Sequence, residues 1–379
     1  MRFDMRHTGR PKGQRGWIDK KGRVYVLRWR EEKALADGKL KVVERSKSLG
    51  HFRTKSEARA AGEAEMRKIN AALQNPESTM QLAHFIERHY FPHIEKRLRP
   101  STVHGYRGLW EDYRRFWPDL ELREFRTLHG NQALERIHEA TDVSKNTLRN
   151  IKSFMSAVFK HARRTGVLDS PNPMVDVSLP SAREGIDTYA YSLEEVTAML
   201  MRLPLRSAAV VAVAAFTGLR KGEIGALKWE NYRDALLHVE KSKWRGHIND
   251  PKTRKSKSPV PVISALAKVL DRWRAAAGNP ESGWMFGTGP LNMDNFDDRE
   301  IKPFTENWQG WHAFRRGLST TLHRLGVPDK DIQQILRHQD VHVTQKSYIK
   351  TATSDAVTAM RLLEDIVTLP EITDKGKRQ

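Results

Sequence analysis

The chain carries two hydrophobic rhythms. The stretch Gly22-Arg-Val-Tyr-Val-Leu-Arg-Trp-Arg30 alternates large and charged side chains with a period of two, which predicts a strand with one wet face. Residues 41–50 predict a second strand, with Asp37-Gly38 as the turn between them. Thr54 then opens a helix, and Glu57 stands at its capping-box position. Residues 15–70 thus predict a small antiparallel sheet followed by one helix. From residue 71 to 165 the period becomes helical. Gln74-Asn-Pro-Glu-Ser-Thr79 reads as a linker. Pro100-Ser-Thr102 starts a helix whose stripe is Val103, Tyr106, Leu109, Trp110 and Tyr113. Ser144 starts another, with Leu148, Ile151, Phe154, Met155, Val158, Phe159 and Ala162 on one face. That spacing suits a core better than a base-stacking platform. Arg97, Arg99, Arg107, Arg149, Lys152 and Lys160 lie on or beside these helices.

Residues 166–190 interrupt every regular pattern through Gly166, Asp169-Ser-Pro171, Asn172-Pro173 and Leu179-Pro180. A further domain starts near Tyr191, with Ser192 and Glu195 again at capping-box spacing. It reads as mainly helical to about residue 370, except that 236–240 and 258–263 look like strands of a small sheet. The predicted fold class is mostly α with small β-sheets (α+β). The expected division is residues 1–70, a helical domain over 76–166, a linker over 167–190, a domain over 191–370 and a polar tail over 371–379.

Charge sharpens this picture. The 379 residues carry a formal net charge of +20. Residues 1–60 hold 18 Lys and Arg against 7 acidic residues, an excess of 11 in under a sixth of the chain. A folded basic domain of that kind suits a polyanion, and nucleic acid leads the candidates. Arg23, Arg28, Arg30 and Lys47 on the predicted sheet are the candidate contacts. The absence of Cys removes disulfides, thiolate zinc sites, iron–sulfur clusters and thiol nucleophiles. The longest apolar run, Ala208 to Phe216, falls far short of the ~20 residues a membrane span needs. The N-terminal residues have no apolar segment of the secretory kind, so a cytoplasmic setting is expected.

Four segments of the last domain carry candidate chemistry. In Phe216-Thr-Gly-Leu-Arg220-Lys-Gly-Glu223, an Arg follows a glycine turn at a helix entry, where anions are attracted. In Trp311-His312-Ala-Phe-Arg315-Arg316, His312 and Arg315 share one helix face. In Leu336-Arg337-His338, the His precedes Tyr348 by ten residues. Asp250-Pro-Lys252-Thr-Arg-Lys-Ser-Lys257 is a basic turn entering a strand. Each segment alone is ordinary: a surface Arg, a chance His-x-x-Arg, a capping His, a basic loop.

Their order and spacing resemble the tyrosine recombinase (phage integrase) family. The resemblance extends over nearly the whole chain, with residues 76–165 similar to the family's core-binding domain and 15–70 similar to an arm-binding domain. It implies that Tyr348 attacks a DNA phosphodiester to leave a 3′-phosphotyrosine and a 5′-hydroxyl, with no ATP, metal or other cofactor. Arg220 and Arg315 would clamp the phosphate bidentately. His312 would take up the tyrosine proton, since a free Tyr has a pKa of about 10. His338 would hydrogen-bond the phosphate, Lys252 would protonate the leaving oxygen, and Glu223 would orient the site. Lys255 and Lys257 stand close enough to share the claim to the lysine role. Two departures from the family are mild: Arg337 replaces the usual Gly before the His, and Arg316 replaces a common His and is a further candidate DNA contact. The implied partners are double-stranded DNA at core-type and arm-type attachment sites, further copies of the chain up to a tetramer in synapsis, and an accessory directionality or bending factor. Residues 354–367 form an amphipathic stretch expected to dock on a neighbouring copy, with packing back onto its own domain as the alternative.

Three rival readings remain at this point. A type IB topoisomerase would share the chemistry but relax supercoils without exchanging strands. A catalytically silent DNA-binding regulator would tolerate loss of the tyrosine or an arginine. An RNA-binding scaffold rests on charge alone.

Overall fold

The structure is a computed structural model that describes residues 15–35, 39–72, 75–183, 188–251, 258–337 and 360–367. It divides the chain into two compact units, Met1–Ile186 and Asp187–Gln379.

The first unit opens with an antiparallel sheet of β1 (Trp17–Lys21), β2 (Val24–Ala34) and β3 (Leu40–Gly50), in the order β1-β2-β3. β1 was not foreseen. Its sequence, Trp-Ile-Asp-Lys-Lys, has no alternation of its own, and it becomes a strand by pairing with β2 from Trp17 opposite Arg28 to Lys21 opposite Val24. The expected turn at Asp37-Gly38 lies outside the described residues. α1 (Lys55–Ala72) starts as predicted: Thr54 Oγ1 accepts from the Glu57 amide at 3.2 Å, and Glu57 accepts from the Arg53 amide at 3.1 Å. It packs closely on the sheet, because a Cβ added to Gly62 would meet Ile18 Cδ1 at 2.8 Å.

The helical part follows with α2 (Leu82–Phe85), α3 (Phe91–Glu95), α4 (Pro100–Tyr113), α5 (Thr127–Ala140) and α6 (Lys145–Arg164). Every predicted core position of α6, from Leu148 to Ala162, is buried, and Ser144 caps it. Two stretches read as linkers are structured instead. Residues Pro76–Thr79 form a 3-10 turn whose Thr79 Oγ1 accepts from the Ala34 amide of β2 at 2.9 Å. Beyond α6, Val167, Leu168, Met174 and Val177 are buried in the helical core. They settle there because a chain broken by prolines still carries apolar side chains that must leave water.

Sheet and helices of this unit are tied by buried carboxylates. Glu31 of β2 and Glu121 are only 4% and 5% exposed. Glu121 pairs with Arg45 at 2.5 Å, Arg123 at 2.9 Å and Lys33 at 3.1 Å, while Arg123 also bridges to Glu31.

The second unit contains α7 (Leu193–Arg202), α8 (Leu205–Thr217), α9 (Lys221–Ile224), β4 (Tyr232–Arg233), β5 (Leu236–Leu237), β6 (Ser242–Trp244), β7 (His247–Asn249), β8 (Val260–Pro261), α10 (Ser264–Ala276), α11 (Met293–Phe296), α12 (Trp311–Arg324) and α13 (Asp329–Leu336). Ser192 and Glu195 make the predicted capping box of α7. Strands β4, β5 and β8 form the expected small sheet, and β6–β7 add a hairpin that no alternation in the sequence announced. α8 is buried on all sides, so it is the axis of the unit, with α7, α10 and α12 packed around it. A short helix over 360–364 buries Met360 and Leu363 in this same core, and the Glu364 carboxylate accepts from the Ser264 amide at 3.2 Å. In the single chain this end of the expected trans-docking segment therefore lies in cis. The spacing of Met360 and Leu363 lets both cover apolar surface of their own unit. Among the described residues no helix is long and apolar enough to cross a membrane.

Candidate active site

Four helix ends of the second unit meet at one place. α8 stops at Gly218, which adopts a left-handed φ of +61°. A Cβ there would lie 2.6 Å from Leu336 and 3.2 Å from Leu318, so glycine alone permits both the turn and the approach of α13 and α12. The turn delivers Arg220 to the N-terminus of α9. Its amide donates to Glu223 Oε2 at 2.8 Å, and its Nη1 donates to Glu223 Oε1 at 3.0 Å. Its Nη2 donates to the Arg337 carbonyl at 3.2 Å.

α12 supplies the second guanidinium. Arg315 is 5% exposed. Its Nη1 donates to the Gly218 carbonyl and its Nη2 to the Leu336 carbonyl, which joins α12 to the ends of α8 and α13. Burial first, then the charges of Arg220 and Arg337, push its pKa down to about 9, so it still carries its charge at neutral pH. His312 sits one turn earlier on α12, in its first turn, and remains exposed. Loss of hydration around the ring, then the cations Arg315, Arg316 and Arg220, hold its pKa below the ordinary histidine value. It is therefore neutral at pH 7 and able to accept a proton.

Glu223 is 3% exposed and is the carboxylate at the centre of the arrangement. Burial opposes its ionisation, but Arg337 and Arg220 outweigh that cost and keep its pKa below the usual range. Arg337 forms a buried ion pair with Glu223 Oε2 at 2.7 Å. A second network braces the site from behind. Lys221 pairs with Asp294 at 2.5 Å and approaches Asp297 at 3.6 Å, while the Trp311 indole donates to Asp297. This fixes α9 to α12 beside both Arg220 and His312. No motif signals this network, since Lys221 and Asp297 are distant along the chain.

The structure thus brings Arg220, Glu223, His312 and Arg315 together as the motif order implied. Lys252, its alternatives Lys255 and Lys257, His338 and Tyr348 lie outside the described residues. Arg316 is half-buried and its Nε donates to the Tyr189 carbonyl, so that nitrogen serves the chain entering α7. On the N-terminal sheet, Arg23 and Arg30 are exposed. Arg28 is paired with Asp19 at 2.8 Å and Glu44 at 2.5 Å, and Lys47 with Glu65 at 2.5 Å. Arg28 braces the sheet and Lys47 ties it to α1, which weakens their claim as DNA contacts. Cationic guanidiniums held by carbonyls around one carboxylate, beside a neutral imidazole, make a preorganised place for an anion next to a proton acceptor. Among the described residues no cluster of His, Asp or Glu is arranged to hold a metal ion.

Comparison with known proteins points the same way. A model of the phage integrase family matches residues 189–354. A tyrosine recombinase XerC-like protein of Caldanaerobacter subterraneus is 22% identical over 83% of this chain and 90% of its own length. The ICEBs1 integrase of Bacillus subtilis is 30% identical over 55% of this chain and 62% of its own. The integrase of Escherichia phage HK022 is 25% identical over 65% of this chain and 69% of its own. Among solved structures, a lambda integrase dimer bound to a COC' core site aligns with 94% of this chain and 97% of its own, at a TM-score of 0.55 and 17% identity. The Tn1549 transposon integrase in complex with circular intermediate DNA aligns with 75% of this chain and 100% of its own, at a TM-score of 0.54 and 17% identity. At these identities the structural matches speak for the fold.

Proposed function

We propose that the chain is a tyrosine recombinase of the phage integrase family and that it integrates or excises a phage or mobile element by cutting and rejoining DNA through a 3′-phosphotyrosine on Tyr348. The observation that carries this reading is the convergence of Arg220 and Arg315 on the shared ends of α8, α9, α12 and α13. In the reaction the Tyr348 hydroxyl attacks the scissile phosphorus, and the bond to the 5′-oxygen breaks. Charge grows on the non-bridging oxygens, and Arg220 and Arg315 meet it with donors already in place. Neutral His312 accepts the tyrosine proton. Lys252 returns a proton to the leaving 5′-oxygen, with Lys255 and Lys257 as its rivals, and His338 donates to the phosphate. A 5′-hydroxyl from a second strand then reverses the attack, so bond energy is conserved and no ATP is consumed.

The DNA partner and the oligomer follow from the same reading. Solved relatives include a lambda integrase dimer on a core site and a tetramer on a Holliday junction. By analogy, several copies of this chain assemble on two core-type sites, and residues 1–70 act as an arm-type binding domain ahead of the helical core-binding domain. A plasmid test separates recombinase from topoisomerase. A supercoiled plasmid carrying the two attachment junctions should yield recombinant circles. Relaxation without recombinants, on plasmids with or without the junctions, would favour the topoisomerase reading.

A further inference from the structure

Two guanidiniums, those of Arg220 and Arg337, hold the single carboxylate of Glu223, and a third, that of Arg315, lies within its field, so the four groups together carry a local charge of +2. Arg337 is the unexpected member. It caps α13 in a left-handed conformation, φ +56°, which a glycine would adopt without strain. Its side chain is 1% exposed, so its guanidinium is almost fully removed from water. Backbone and side chain are thus both unfavourable on their own terms, and specific contacts must hold them. Those contacts run to the two arginines of the phosphate site. The Arg337 guanidinium holds Glu223 Oε2, while Oε1 of the same carboxylate holds Arg220. The Arg337 carbonyl accepts from Arg220, and the carbonyl just before it, that of Leu336, accepts from Arg315.

We propose that Arg337 is a positioning residue of the phosphate clamp: it draws one oxygen of Glu223 away, so that the carboxylate orients Arg220 without fully neutralising it. A Glu223–Arg220 pair by itself would be electrically neutral and would attract a phosphate weakly. Adding Arg337 restores positive charge at the site without placing another flexible cation against DNA. The carbonyls at the end of α13 depend on the same anchor, since the buried ion pair with Glu223 fixes the capping residue. The inference rests on the reading of Arg220 and Arg315 as the clamp.

The test is single-turnover cleavage of a nicked duplex spanning the junction of the element that encodes the chain, measured beside affinity for the same duplex. Arg337→Gly suits the left-handed backbone and removes the side chain with its guanidinium. It should bind DNA within about threefold of the parent but cleave at least tenfold more slowly. Arg337→Lys keeps a cation without the fork and should fall between the two; it is also the reporter if the glycine variant folds poorly. The decisive comparison adds Glu223→Gln to Arg337→Gly. Removing the carboxylate frees Arg220 again, so the double variant should cleave faster than Arg337→Gly alone. A purely structural Arg337 predicts the opposite order, because a second buried substitution adds damage. Parent-like cleavage by Arg337→Gly, or a double variant no faster than it, overturns the inference while leaving the recombinase reading intact. No cleavage by the unmodified chain on junction DNA that it binds overturns that reading and this inference with it.

Discussion

Arg315 is a cation held where cations are costly, as the proposed phosphate clamp requires. A side chain 5% exposed, kept in place by two carbonyls, has its hydration already removed before a phosphate arrives. Arg315→Ala or Arg220→Ala should each slow single-turnover cleavage by roughly 10²–10³-fold, about 3–4 kcal/mol of transition-state stabilisation. Near-parental rates in both would break the clamp account. His312 makes a pH prediction. Its pKa is depressed, so it stays neutral, and active as an acceptor, to a pH below the ordinary histidine range near 6.5. Arg316 is among the cations that depress it, so Arg316→Gln should move the acidic limb of the pH–rate profile to higher pH. An unmoved limb would remove His312 from the proton-transfer role. At this scale the sequence was informative where a role is tied to a motif: Arg220, Glu223, His312 and Arg315 meet as their spacing implied. It marked Arg337 only as a departure from the family's glycine and passed over Lys221, because their partners Glu223 and Asp297 are far away in sequence and only the fold brings them together.

Helices were more legible than strands for a physical reason. α6 shows its apolar face in one window of sequence, whereas β1 acquires its structure only from hydrogen bonds to β2. The 167–183 stretch misled because prolines report where regular structure ends and say nothing of whether the chain leaves the core. Two buried groups make the elements of the first unit testable. Glu121 joins the sheet to the helices through Lys33, Arg45 and Arg123, so Glu121→Gln should lower stability by about 1–3 kcal/mol in denaturant unfolding of the full chain. No change would mean the network is electrostatically neutral in effect. His161 of α6 lies 4.1 Å, ring centre to ring centre, from His93. Burial, then His93 and nearby arginines, push its pKa down to about 4. Its unfolded value is near 6.5, so between these pH values the unfolded chain binds the extra proton. Stability should therefore fall as pH drops through 6.5 and level off below about 4, a decline on the order of 3 kcal/mol at most. His161→Phe should flatten this decline in thermal melts taken across that range.

For the whole molecule, the proposed function makes charge the determinant of DNA binding and the second unit the seat of the chemistry. A net charge of +20 gives a long-range attraction that salt screens. Of the four candidates, Arg28 is paired with Asp19 and Glu44 and Lys47 with Glu65, while Arg23 and Arg30 are exposed. Replacing both with Gln should reduce the slope of log affinity against log salt by up to about 2, since each phosphate left without its cation lowers the slope by roughly one. The most direct test of the central claim is covalent capture. The protein is mixed with junction DNA carrying a nick that traps the cleaved strand, and the products are run on a denaturing gel beside Tyr348→Phe. The account predicts a protein–DNA band with the parent chain and none with Tyr348→Phe, while both bind the duplex. A band that survives in Tyr348→Phe, or none from the parent on DNA it binds, would contradict it.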